Sequence, residues 1–254
     1  MALFKRLLGD RGENDILEAI ELHASDRIRA ALENGLNSRT VIRGRSLVTW
    51  LTEMYSRGDG FAECLRVFLD HGAVLDDPVL APVLLNDAED LAAAIEARPS
   101  LLEYRTTMVS AFTPLVGATL LHVAAEYGHA DAARVLIEMG ADVDAAAALD
   151  NDGLNGHSPI FHTVNSTRNH AAPVLGLLLK AGARCDIGLQ GITWGKGFEW
   201  ETTIFDVTPI SYAQFGLLPQ VHRGEEDIYA NIKLLLRASG RTIPPLENVP
   251  NRYL

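Results

Sequence analysis

Three clusters of side chains in this sequence carry the residue types that chemistry needs. Asp150-Asn151-Asp152-Gly153 sets oxygen donors beside a glycine, as the opening of a calcium loop does, but the closing Glu and the remaining ligand spacing are missing. His157, His162 and His170 lie close together, yet no Cys or acidic residue falls at a spacing that would complete a zinc site. Glu199, Glu201, Asp206 and His222 would supply a composite acid–base site if the chain folded back there, although nothing in their spacing requires it. No Walker loop, G-x-S-x-G elbow or dinucleotide fingerprint occurs. The sequence therefore favours contact over catalysis, with no cofactor or metal.

The residues best suited to contact are concentrated between 186 and 205. Trp194, Lys196, Phe198, Glu199, Trp200 and Glu201 sit among Gly188, Gly191, Gly195 and Gly197. Aromatic anchors of this kind dominate the energetics of interfaces. The same aromatics could instead pack on one another as a small core, and the sequence leaves both readings open. The alternation across Thr202-Thr203-Ile204-Phe205-Asp206 predicts that the returning limb is β-like.

The elements around these clusters have a helix-pair rhythm. In Gly117-Ala118-Thr119-Leu120-Leu121-His122-Val123-Ala124-Ala125-Glu126-Tyr127-Gly128, Thr119 can cap a short small-residue helix and Gly128 can end it in a left-handed turn. A second apolar run, Val135-Leu136-Ile137, ends at Gly140. Two short helices closed by glycines cannot bury their faces alone. This stretch resembles the ankyrin repeat, whose opening T-P-L-H-x-A is matched except that Leu120 replaces the Pro. The resemblance implies that His122 serves turn and inter-repeat hydrogen bonding. Ser158-Pro159-Ile160-Phe161 with Leu177–Gly182, and Thr208-Pro209-Ile210-Ser211 with Leu234–Gly240, resemble weaker copies. Phe161 and Ser211 hold the His position, so one turn bond in the 156–186 copy should be lost or made by His162.

Upstream the helix pairs are degenerate, at 14–36, 46–75 and 78–103, with Asp87 a cap. The resemblance thus implies an all-α ankyrin-repeat solenoid of about six helix pairs, a single domain over 1–254 with clearest repeats at 117–145, 156–186 and 206–241 and a tail at 242–254. The interrupted apolar start, Met1 to Leu8, reads as a small amphipathic cap rather than a targeting segment.

Insertions before the first helices, at 98–117, 144–157 and 186–205, should project as hairpin-like fingers side by side from one edge. Arg105 and Asp152 stand in the first two, and with the aromatic cluster form the candidate partner-binding set. A fourth insertion, 217–227, separates the helices of the last repeat.

Composition limits the partners. The net charge of −11 disfavours binding to nucleic acid, which needs clustered Lys and Arg. No window is long and apolar enough for a membrane span. Cys64 and Cys185 are too far apart in the expected stack to bridge, and free thiols suit the cytoplasm. The expected function is a monomeric cytoplasmic protein-binding module acting without an appended catalytic domain. Its acidity fits a regulator or immunity-type inhibitor of one basic partner. The alternative is a hydrolase or small-ligand binder with a site between the 186–205 insertion and the last repeat.

Overall fold

The computed structural model describes residues 11–218, 221 and 223–245. Its contacts fall into two compact units, one ending at Leu85 and the other beginning at Asn86. The Met1–Leu8 segment, His222 and most of the 242–254 tail lie outside the described residues.

In the first unit, α1 (Arg11–Glu21) packs on α2 (Ser25–Glu33), and α3 (Leu47–Glu53) packs on α4 (Phe61–Asp70). The pairs are joined by contacts of α1 with α3 and α2 with α4. Ile20, Ile28, Leu47, Leu51, Leu65 and Phe68 are each fully buried there. Ser46 caps α3 by accepting the Thr49 N–H at 3.0 Å. A small ribbon of β1 (Val41–Ile42) and β2 (Arg45–Ser46) leads into α3. A 3-10 turn, Pro78–Leu80, and α5 (Ala81–Leu84) complete this unit.

The second unit holds α6 (Ala88–Ala97), α7 (Leu120–Glu126), α8 (Ala130–Glu138), α9 (Ala172–Lys180), α10 (Pro209–Phe215) and α11 (Glu225–Ala238). Two rows form. One runs from α7 through the 3-10 segment Pro159–His162 to α10, and the other through α6, α8, α9 and α11. Asp87 caps α6, accepting the Asp90 N–H at 3.0 Å. The first helix expected in the 156–186 copy is a 3-10 turn instead. Ser158 makes no capping bond, unlike Thr208 ahead of the Pro209 that opens α10, and the β-branched and aromatic residues after Pro159 do not compensate.

The chain is mostly helical, but the all-α expectation needs correction. Residues 186–207 form an antiparallel hairpin of β3 (Leu189–Trp194) and β4 (Thr202–Val207). Gly195 and Gly197 have φ of +67° and +83° in its turn, which lets the alternating limbs pair. Cys64 and Cys185 are both unbridged.

Gly128 and Gly140 both have positive φ, +67° and +96°. Their surroundings differ. A Cβ on Gly128 would lie 2.4 Å from His170 Cδ2 and 2.9 Å from its carbonyl oxygen, whereas one on Gly140 meets nothing within 4 Å. Gly140→Val should therefore cost only backbone strain, of order 1–3 kcal/mol. Gly128→Val should cost clearly more, because a backbone atom must also move. Thermal and urea melts of both variants check this; equal losses would contradict the packing.

Candidate interaction surface

The insertions meet in the second unit, and their hydrogen bonds fix the surface they present. In the first, Thr106 and Ala118 close the loop through Thr106 N–H to Ala118 O at 2.9 Å and Gly117 N–H to Thr106 O at 2.7 Å. Arg105 donates from Nη1 to Ala146 O of the second insertion at 2.5 Å, and to Gly117 O at 3.3 Å. The second insertion pairs Leu149 with Asn155 and sends the Asn155 N–H to Gly191 O of β3 at 2.8 Å. Asn155 Oδ1 accepts the Thr193 N–H at 3.1 Å, and Asn155 Nδ2 donates to Asp150 Oδ2 at 3.0 Å. The first insertion also reaches the third. Gly195 N–H donates to Phe112 O at 2.9 Å, and Trp200 Nε1–H to Ala111 O at 3.4 Å.

Asp150 organises the second loop. Burial works against its ionised form, but the N–H groups of Leu154 and Asp152 and the ammonium of Lys196 outweigh it and hold its pKa below the usual range. Its oxygens are thereby engaged by N–H donors, with Lys196 Nζ at 3.3 Å. The segment that suggested a calcium loop is a side-chain-closed turn, and Asp152 stands exposed at its tip.

Of the candidate contact residues, Trp194 is the one the structure removes from the surface. It is 5% exposed, stacked on Phe112 with ring centroids 5.8 Å apart and set edge-on against Phe215 at 5.4 Å. Trp194 is thus a core residue beneath the hairpin. The other aromatics differ: Phe198 and Trp200 are half-exposed and stack on each other at 4.6 Å. Lys196, Glu199 and Glu201 are exposed, as is Arg105. Glu201 accepts the Gly197 N–H at 2.7 Å, so it braces the hairpin turn. Phe205 and Leu149, which the sequence reading passed over as contacts, are 65% and 64% exposed. The apolar-in, polar-out rule hid them, because neither residue type signals exposure.

Behind this surface lies a buried polar network that sequence spacing could not reveal. His122 behaves as its motif implies: Nδ1 accepts the Thr119 N–H at 3.1 Å and Nε2–H donates to His157 O at 3.0 Å. His162 does not replace the missing turn bond. Its Nδ1–H donates to Glu126 Oε2 at 2.8 Å, while Ser158 Oγ is buried without a partner among the described residues. The His157 Nε2–H is shared between Pro114 O at 2.9 Å and His162 Nε2 at 3.1 Å, and Ser110 Oγ–H donates to Glu126 Oε1 at 3.0 Å. The acidic partner that the sequence lacked for these histidines is Glu126, 36 residues before His162. Among the described residues no group of His, Cys, Asp and Glu has metal-holding geometry.

Burial, with the neighbouring histidines, pushes the pKa of both His122 and His157 well below 6.5. The folded chain therefore cannot take up the protons that the unfolded chain binds below pH 6.5 or so. Stability should be level with respect to these groups above that pH and fall as pH drops. Each histidine adds a slope of about 1.4 kcal/mol per pH unit. Urea melts at pH 7.5, 6 and 5 check this. The His157→Gln variant should start lower at pH 7.5 but show a shallower slope; an identical slope would contradict the assignment.

Residues 116–148 match the ankyrin repeat family. No curated protein matches the chain. Among solved structures, the human ASB11 ankyrin repeat domain aligns at 19% identity, covering 91% of this chain and 83% of that one, with a TM-score of 0.39. The family match spans Thr119, His122, Gly128 and Gly140, whose hydrogen bonds and turn geometry are described above: residues 116–148 form an ankyrin repeat.

Proposed function

We propose that this chain is a protein-binding module that engages one partner through the joined insertions of its second unit. Ankyrin repeats in general are modules of protein–protein interaction rather than of catalysis. The observation that carries the reading is the pattern of cross-bonds between the insertions, which holds half-exposed Phe198 and Trp200 beside exposed Lys196, Glu199 and Phe205. Aromatic side chains held by a bonded frame lose little conformational freedom on binding, which is what makes an effective anchor. In this reading the degenerate helix pairs are further repeats of a solenoid, the insertions are its fingers, and the protein acts as a monomer in the cytoplasm. Its net charge of −11 supports a basic partner, and a regulator or immunity-type inhibitor fits that make-up.

The hydrolase reading has less to stand on. Glu199, Glu201 and Asp206 are exposed, and Glu201 is taken up by the hairpin turn.

Cross-linking in cells of the native host, followed by affinity measurement with the recovered protein, tests the proposal. Trp194→Ala should lower stability by roughly 3–5 kcal/mol, as a buried aromatic does. Lys196→Ala and Trp200→Ala should retain most of the parent's melting temperature, and Trp200→Ala should weaken binding by about tenfold or more. Folded variants of all the insertions that bind as the parent does would overturn the assignment of the surface.

A further inference from the structure

The hairpin leaves one strand edge open. Asn155 occupies the far side of β3, taking Gly191 O and the Thr193 N–H. In an antiparallel ladder, the main-chain groups of successive residues turn to opposite sides. With Gly191 and Thr193 turned toward Asn155, the bonds to β4 fall at Ile192 with Ile204 and Trp194 with Thr202. Thr203 and Phe205, opposite Thr193 and Gly191, therefore turn their N–H and C=O groups away from the hairpin. Both residues are exposed, and among the described residues Phe205 is the most exposed large hydrophobic.

Natural proteins protect such edges with Lys, Pro, a covering segment or an early bulge. From Thr202 to Phe205, β4 has neither Lys nor Pro, and the backbone leaves the extended region only at Asp206, φ +53°. Charge identifies the occupant. Glu199 and Glu201 precede the strand, Asp206 follows Phe205, and the one cation of the hairpin, Lys196, is held by Asp150. A second copy would bring the same carboxylates together, and like charges disfavour that pairing. An extended segment with alternating basic and β-branched residues would meet opposite charge at both ends and an aromatic ring between them.

We infer that β4 is a docking edge, and that the partner adds an extended basic segment as a third strand along Thr203–Phe205. This rests on the protein-binding reading and specifies its mode. The segment would gain main-chain bonds from β4 and seat a side chain on Phe205, the general way in which strand addition combines affinity with specificity.

The test uses the whole isotope-labelled chain and an alternating lysine–valine peptide of about eight residues, roughly strand length. Its glutamate–valine counterpart is the control. The expected result is saturable binding of the basic peptide with Kd below about 1 mM, slowed hydrogen exchange at the Thr203 and Phe205 amides, and no binding of the acidic peptide. Phe205→Pro removes an outward N–H without touching a β3 bond and should abolish binding. Should that variant not fold, Thr203→Pro asks the same question, and the charge reversals Glu199→Lys and Asp206→Lys should each weaken binding several-fold. The inference is overturned if neither peptide binds, if both bind alike, or if β4 instead pairs with a second copy. Shifts confined to Lys196, Phe198 and Trp200 would also overturn strand addition while leaving the protein-binding reading intact. Loss of that broader reading would appear separately, as unchanged partner affinity in Trp200→Ala.

Discussion

Asn155 is the residue on which the arrangement of the insertions depends. It sits buried at positive φ, +71°, a conformation that Asn tolerates better than other side-chain-bearing residues. From there its main-chain N–H, its side-chain oxygen and its side-chain nitrogen are each committed, to Gly191, Thr193 and Asp150 respectively. One residue thus joins the second loop to β3 and steadies the loop that carries Lys196's partner. It also decides which side of the hairpin stays open. With Asn155 on the far side of β3, the open edge of the hairpin among the described residues is that of β4.

Below the surface, the His122–His157–His162–Glu126 network serves the same frame. It links α7 to the Pro159–His162 turn and, through Pro114 O and Ser110, to the loop that also presents Phe112. A buried polar group without a partner costs about 1–3 kcal/mol, so a network of this kind selects one arrangement strongly when nearly all its members are satisfied. The aromatic cluster does the remaining work. Trp194 between Phe112 and Phe215 anchors the hairpin to the first insertion and to α10.

What could be read from the sequence was local. Thr119, Gly128 and Gly140 act within a few residues of themselves, so their types and spacing suggested their roles, and the resemblance to the ankyrin motif implied that of His122. The β-like limb of the long insertion was legible from alternation alone, since period-two patterning has few other causes. The burial of Trp194 was not legible, because Phe112 and Phe215 come from segments far apart in the chain. Glu126 was hidden for a similar reason. At the end of a helix it reads as a solvated carboxylate, and only the placement of Ser110 and His162 around it shows otherwise. The helix expected at Pro159 failed on a local point, the unpaired Ser158 hydroxyl, which the replacement of His by Phe161 had foreshadowed.

Side-chain bonds from Asn155 hold the hairpin and its open edge in place. Native-state hydrogen exchange on the parent and on Asn155→Gly tests it most directly, because glycine keeps the positive φ while deleting only the side chain. In Asn155→Gly the amides of Ile192, Trp194 and Ile204 should lose protection by about tenfold or more, roughly one hydrogen bond or more in free energy, while those of α8 and α9 keep theirs. Unchanged protection across β3 and β4 would contradict it.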